Sequence, residues 1–359
     1  MEFLGSILDV SITVLLTVLM FGLLIFIHEF GHFASAKLFN VKVNEFSLGM
    51  GPKLFKFAKG ETTYSLRALP IGGFVSMEGE DEESDDPRSF RKQKVWKRII
   101  ICSAGVIMNF VLGFIIATIL VASSNSQYLT STTVSQVISQ EQDENTLKKG
   151  DKILSISGYP IYVGEDISFG VSRSDPTGKT ELIELETEFV VLRDGKKITL
   201  PNVKPFTRVT YEDNSQEDRY CFYVEPENKS FFGVIRHGFF ESVSYVRTTI
   251  LGLFDILTGR VGIDGLGGVV KVGQVVGEAT KYGIANLLTL VAMISVNLGV
   301  MNLLPIPALD GGRIVLLVFE GIFRRPLNKK LEYALIAGSM ILLLALTFFI
   351  TVKDVISIF

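Results

Sequence analysis

The feature that most restricts this chain is a set of four stretches without a charged residue: 10–27, 99–122, 287–309 and 333–352. At ~1.5 Å of helical rise per residue, each approaches or exceeds the length that crosses a ~30 Å hydrocarbon core. Hydrophobic residues make up 48% of the chain, charged residues 20%, and the mean hydropathy is +0.38. That is too apolar for an ordinary soluble enzyme and too charged for a bare bundle of spans. It fits membrane helices joined to a soluble domain. The first stretch has no basic segment before it and no small-residue cleavage site after it, so it is expected to be retained rather than removed as a signal peptide. The net charge is −3 and there is no basic, aromatic-studded stripe, so no nucleic-acid partner is expected. The two cysteines, Cys102 in an apolar run and Cys221 in a polar one, read as free thiols.

Loop charges set the orientation. Twelve Lys and Arg residues from Lys37 to Arg98 separate the first two stretches. Arg313, Arg324, Arg325, Lys329 and Lys330 separate the last two. Positive loops stay in the cytosol, and the acidic run Glu80–Asp86 counts little in this rule. Both termini and the long region 123–286 are therefore expected outside the cytosol, with the chain crossing the membrane several times.

Residues 46–57 and 62–77 alternate apolar residues with Gly49, Gly51, Gly72 and Gly73 around a Lys59-Gly60-Glu61 turn, which predicts paired strands. A sheet this apolar next to a span reads either as a cytosolic hairpin or as one that re-enters the membrane, where its backbone must line a cavity or be covered by protein. Farther on, Val190–Leu200 predicts two strands around Asp194-Gly195, a type I′ hairpin signal. Gly150-Asp151-Lys152-Ile153-Leu154-Ser155-Ile156-Ser157-Gly158 resembles a stretch of PDZ domains. The expected fold is thus an α-helical membrane protein with four transmembrane helices, a re-entrant β-hairpin and one extracytoplasmic PDZ-like α+β domain. Its expected parts are a membrane core at 1–121, the PDZ-like domain at 122–205, a linker at 206–286 and a second membrane core at 287–359. Within the linker, Phe239, Phe240, Val243, Val246, Ile250, Leu251 and Phe254 recur at mostly helical spacing, interrupted by Glu241, Arg247 and Asp255. This predicts an amphipathic helix lying on the membrane.

The chemistry starts at His28-Glu29-Phe30-Gly31-His32, directly after eighteen uncharged residues. Residues four apart share a helix face, so both imidazoles can reach one cation, and zinc accepts neutral imidazole nitrogen. Glu29 flanks that face and is placed to take the proton of an attacking water. Ionisable groups at such a position are costly unless they have a function. A catalytic zinc needs a third protein ligand and an open position. His237, the one remaining histidine, lies in the external region and reads as a surface or interfacial residue. Asp310 is the better candidate, because the first and third spans run in the same direction and it ends the third where the histidines end the first. Pro305 and Pro307 must break that helix, and Gly311-Gly312 permits a tight turn.

Together His28–His32 and Asn302-Leu303-Leu304-Pro305-Ile306-Pro307-Ala308-Leu309-Asp310-Gly311-Gly312 resemble the site-2 proteases, intramembrane zinc metalloproteases, in a bacterial form with a single PDZ domain. The likeness runs through Gly49-Met50-Gly51-Pro52, Leu69–Val75, Gly79–Glu82, Trp96–Ile99, Ala104-Gly105 and Asn109-Phe110, and so covers nearly the whole chain. It implies one Zn2+ per chain held by His28, His32 and Asp310, with Glu29 as the catalytic base. It also implies that the re-entrant sheet, with Gly72 and Gly73, receives the substrate as an added strand. Asn297 and Asn302 become candidates for holding unwound substrate backbone, and they and Asn109 can equally be polar bridges between spans. The implied partners are single-span membrane proteins, such as anti-sigma factors or remnant signal peptides, and the lipid bilayer. Two features depart from the family: Gly105-Val106 where Gly-Pro is common, and Gly267-Gly268 where Gly-Pro often precedes the third span. Two other classes compete. A metal transporter should carry ionisable residues along several spans, and the second and fourth have none. A PDZ-based adaptor with an inert core should tolerate Glu29→Gln.

Overall fold

A run of apolar residues becomes a helix here and stays one well past the apolar limit. In the computed structural model, which describes residues 2–80, 82–124, 126–138, 146–175, 177, 179–211, 215–262, 267–325 and 328–356, α1 spans Glu2–Leu38. Asp81 of the acidic run and residues 263–266 of the linker lie outside the described residues. His28–His32 therefore sits inside one continuous helix. Asn40, in the left-handed conformation at φ 58°, ends it. The Val41 N–H donates to Ala36 O and the Asn40 N–H to Lys37 O, which satisfies two of the last carbonyls.

Among the described residues, four helices are long and apolar enough to cross a membrane: Val10–Leu38 of α1, α2 (Val95–Ser123), α6 (Ile284–Asn302) and α8 (Lys329–Ile356). On α8, Met340, Ile341, Leu342, Leu344 and Phe348 are all exposed, an outward apolar surface that water does not tolerate. The chain is a multi-pass membrane protein. The third apolar stretch is helical only as far as Asn302, where α6 stops, and Pro305 and Pro307 keep the next residues irregular, as the sequence predicts.

The chain divides into two compact units. The first combines Met1–Ile116 with Leu266–Phe359. Its hairpin, β1 (Val43–Lys59) and β2 (Thr62–Met77), turns at Gly60 and is more folded than a simple ribbon. Residues 45–48 pair with 63–66 on one side and with 73–76 on the other, while 53–59 pair with 62–67. The bend within β1 uses Gly49 and Gly51, both at positive φ. The sheet thus has four segments, and among the described pairings residues 73–77 have a strand partner on one side only. Val43, Phe46, Val75 and Met77 pack with Ala36 and Val41, with Ile101 of α2, and with Leu317 of α7 (Asp310–Phe323). At the other end Leu54, Phe55, Phe57 and Leu69 are exposed.

Helix α5 (Val269–Lys281) opens with an N–H that proline lacks. The buried carboxylate of Asp354 on α8 accepts from Gly268 N at 2.7 Å and Lys271 N at 3.3 Å. Proline at 268 would lack this N–H, and any Cβ there would stand 2.9 Å from Asp354 Oδ2, so glycine suits the contact.

The second unit, Ala117–Gly265, is built on a sheet ordered β10-β3-β4-β6-β7, with β5 against β4. The strands are β3 (Tyr128–Val137), β4 (Lys152–Ile156), β5 (Tyr159–Pro160), β6 (Thr187–Arg193), β7 (Lys196–Val203) and β10 (Phe222–Asn228). A separate hairpin pairs β8 (Phe206–Thr210) with β9 (Gln216–Tyr220). The β6–β7 turn has Asp194 and Gly195 at φ 51° and 75°, as a type I′ turn requires. The sheet does not end at residue 205, since β10 returns to pair with β3. Ile153, Ile156, Phe189, Val191 and Leu200 form the core below α3 (Asp166–Ser172).

Helix α4 (Phe231–Leu257) is tied to this unit through Arg247 and Asp255, two of the residues that interrupt its apolar pattern. Arg247 donates to the buried Asp166 and to Pro160 O, both at 2.7 Å, with its guanidinium 4.3 Å from the Tyr159 ring centre. Asp255 accepts from Arg173. Phe231, Phe232, Phe239, Ile250, Phe254 and Leu257 remain exposed.

Candidate metal centre

The 3.6-residue period of α1 stacks His28 over His32, with their Nε2 atoms 3.3 Å apart. Asp310 Oδ2 lies 3.2 Å from His28 Nε2 and 3.3 Å from His32 Nε2. A tetrahedral zinc with ligand bonds of about 2.0–2.1 Å keeps its ligand atoms about 3.3 Å apart. The three edges match that spacing. Oδ2 is also buried without a hydrogen bond of its own, the condition of an atom left for an ion. His32 Nδ1 lies 2.8 Å from Ile101 O. A carbonyl can only accept, so Nδ1 is the protonated nitrogen and Nε2 keeps its lone pair for a metal.

Asp310 reaches this point because α6 and α7 are separate helices. After Asn302 the chain turns through Leu304 and Ile306, whose N–H donates to Leu304 O at 2.7 Å, and Asp310 becomes the first residue of α7. The two following glycines are helical. Their role is close approach rather than a tight turn: a Cβ at Gly311 would fall 2.5 Å from Leu304 O, and one at Gly312 2.5 Å from Pro307 Cα. The broken segment therefore lies directly on the first turn of α7, where no side chain fits.

Glu29 is outside the three-ligand group and faces the sheet. A Cβ at Gly73 would come 3.0 Å from Glu29 Cγ, so the sheet's edge segment passes close beside this carboxylate. Gly72 opens that segment at φ 75°. Asn302 lies at the centre itself, its amide 3.4 Å from His28 Nε2. Asn297, five residues earlier on α6, is half-buried. His237 needs correction. It is 1% exposed, not a surface residue, and its ring lies 3.5 Å from Glu165 and 3.8 Å from Glu227 within the second unit.

Sequence reasoning left the contribution of α2 unassigned. Gly105 makes room for both rings, since a Cβ there would stand 2.8 Å from His28 Cε1 and 2.9 Å from His32 Cε1. The Asn109 amide lies 3.2 Å from His28 Nδ1. Ile101, Gly105 and Asn109 are four residues apart and so share one helix face, a spacing readable from sequence only once the target face was known.

A multi-pass membrane fold in which two imidazoles of H-E-x-x-H and a distant carboxylate converge defines the class of membrane metallopeptidases. Residues 16–346 match the family model described as Peptidase family M50. A Fusobacterium nucleatum protein named as a putative zinc metalloprotease is 36% identical over 357 residues, covering 97% of this chain and 99% of the relative. One from Clostridium acetobutylicum with the same description is 35% identical, covering 96% and 97%. One from Staphylococcus aureus strain COL is 28% identical, covering 96% and 98%. The chain belongs to peptidase family M50, the site-2 proteases, and its cofactor is zinc.

Proposed function

We propose that this protein is an intramembrane endopeptidase that cuts single-span membrane proteins, with zinc held by His28, His32 and Asp310. The observation that carries this reading is the triangle of Nε2, Nε2 and Oδ2 with edges of 3.2–3.3 Å, set among helices long and apolar enough to cross a membrane. Zinc, when bound, supplies Lewis acidity that polarises a scissile carbonyl. Glu29 accepts the proton of the attacking water and passes it to the leaving amine. A helical substrate hides its peptide bonds in its own hydrogen bonds, so it must unwind before it is cut. The half-paired segment 73–77 offers a strand edge to a substrate backbone, and the bare Gly73 lets that segment lie close beside Glu29. Asn302 and Asn297 hold the unwound chain through amides that both donate and accept.

In this reading the hairpin re-enters the bilayer, and its exposed Leu54, Phe55 and Phe57 meet lipid. The sheet of the second unit is the PDZ-like domain and lies, like both termini, outside the cytosol of a bacterium. It excludes substrates that still carry large outer domains. The exposed apolar residues of α4 rest on the membrane surface. Substrates are membrane-bound regulators or remnant signal peptides already shortened on their outer side.

The test is co-expression with a panel of tagged single-span proteins truncated on the outer side. Wild type is expected to yield a shortened product. Glu29→Gln is expected to yield none while still binding zinc. Equal cleavage by both would sink the assignment of the base and leave the adaptor reading standing.

A further inference from the structure

Helix α2 supplies no metal ligand, yet one of its faces meets both ligand rings. Ile101 O accepts the Nδ1–H of His32 at 2.8 Å. One turn on, Gly105 clears space for both rings. Another turn on, the fully buried Asn109 sets its carboxamide 3.2 Å from His28 Nδ1. We infer that Asn109 is a positioning residue of the metal centre: its amide oxygen accepts the Nδ1–H of His28 and so reserves the Nε2 lone pair of that ring for the ion. This rests on the metalloprotease reading above.

The argument is one of proton bookkeeping. Neutral imidazole has one N–H and one lone pair. With Nδ2 of Asn109 facing His28, the amide donates to Nδ1 and the ring's own proton moves to Nε2, the atom that faces Asp310 Oδ2 and His32 Nε2. Such a ring cannot ligate. Asn109 Oδ1 would meanwhile stay buried with no partner, a cost of about 1–3 kcal/mol for an unsatisfied acceptor. A half-turn of the carboxamide leaves its shape unchanged, frees the Nε2 lone pair of His28 and gives Oδ1 a donor, while the two amide N–H groups take the place Oδ1 held. Oδ1 then takes the Nδ1–H, and His28 matches His32, each ring held from behind by an acceptor on α2. The site is anchored on its far side as well, since Ser295 Oγ on α6 donates to Asn109 O at 2.8 Å. Outer partners of this kind fix the ring orientation of metal-ligating histidines.

The experiment uses the full-length protein in lipid nanodiscs, with zinc affinity read by chelator competition. Asn109→Leu, which keeps volume and loses the acceptor, is expected to weaken zinc binding ~10–100-fold. Asn109→Asp, which keeps an acceptor, is expected to recover most of that loss. In the cobalt-substituted wild type, the two ligand rings should give two shifted imidazole N–H signals in proton NMR, both slow to exchange with water. In Asn109→Leu one should exchange fast while the other, bonded to Ile101 O, stays protected. Unchanged affinity and two protected signals in Asn109→Leu would overturn the inference. So would one fast-exchanging signal in the wild type, whether or not the leucine variant folds. A wild type that binds neither ion would overturn the metalloprotease reading, and this one with it.

Discussion

Adding one methyl group at Gly105 should damage the metal centre from behind. A Cβ there would stand 2.8 Å from His28 Cε1 and 2.9 Å from His32 Cε1, short of the ordinary 3.4 Å contact by 0.6 and 0.5 Å, and closer still to His32 Nε2. Neither ring can easily yield, because His32 is tied to Ile101 O at 2.8 Å and His28 lies against Asn109 at 3.2 Å. The strain must be relieved by moving α2 away or by turning the rings, and either change disturbs ligands set to a 3.3 Å spacing. Overpacking of this kind costs about 1–3 kcal/mol of stability, and misplacement approaching 1 Å at a reacting centre costs up to ~100-fold in rate. Gly105→Ala is therefore expected to lower cleavage of a tagged substrate by about 10- to 100-fold and to weaken zinc binding in chelator competition. Gly338→Ala is the matched control, on a helix where an added Cβ meets nothing within 4 Å. It should leave both readouts at wild-type level. A Gly105→Ala protein that binds zinc and cleaves like wild type would refute the account of α2 as the wall behind the rings.

Other outcomes follow from the same geometry. Asp310→Ala removes one of the three proposed ligand atoms and should abolish stoichiometric zinc binding as read by metal analysis of the purified protein. A chelator that strips zinc should stop cleavage, and added zinc should restore it, with protein retained in the membrane throughout. Gly311→Val should be as inactive as Asp310→Ala, because its side chain would collide with Leu304 O and displace the start of α7. Arg247→Ala leaves the buried Asp166 without its guanidinium. It should cost about 3 kcal/mol, seen as faster hydrogen exchange across residues 159–171 with zinc binding unchanged. Hydrogen bonds from Ser84, Lys42 and Asn44 hold Glu78 down to about 2. A depressed carboxylate contributes stability above its unfolded value and loses it as pH falls toward 2. The thermal-stability gap between wild type and Glu78→Gln should therefore be full at neutral pH and should close between about pH 4.5 and 2.

What the sequence determined by itself was whatever depends on neighbours along the chain. Helical period places His28 and His32 on one face, uncharged length marks four spans, and Asp194-Gly195 dictates the β6–β7 turn. Pro305 and Pro307 announce a break, because a ring nitrogen without a hydrogen cannot continue a helix. The nearness of Asp310 to the histidines was legible in outline, since parallel spans put it at equal depth. Only the tertiary structure decided features made by contacts between distant stretches. It seats residues 45–48 between 63–66 and 73–76, and so makes 73–77 an edge beside Glu29. It turns Arg247 and Asp255 from interruptions of an apolar pattern into ion pairs that tie α4 to Asp166 and Arg173 at the two ends of α3. It buries His237. It also gives α2, with no ligand of its own, the Ile101 carbonyl, the bare Gly105 and the Asn109 amide that back both rings. A residue's type and spacing state what it can bond to, but which partner arrives is set by packing across the fold.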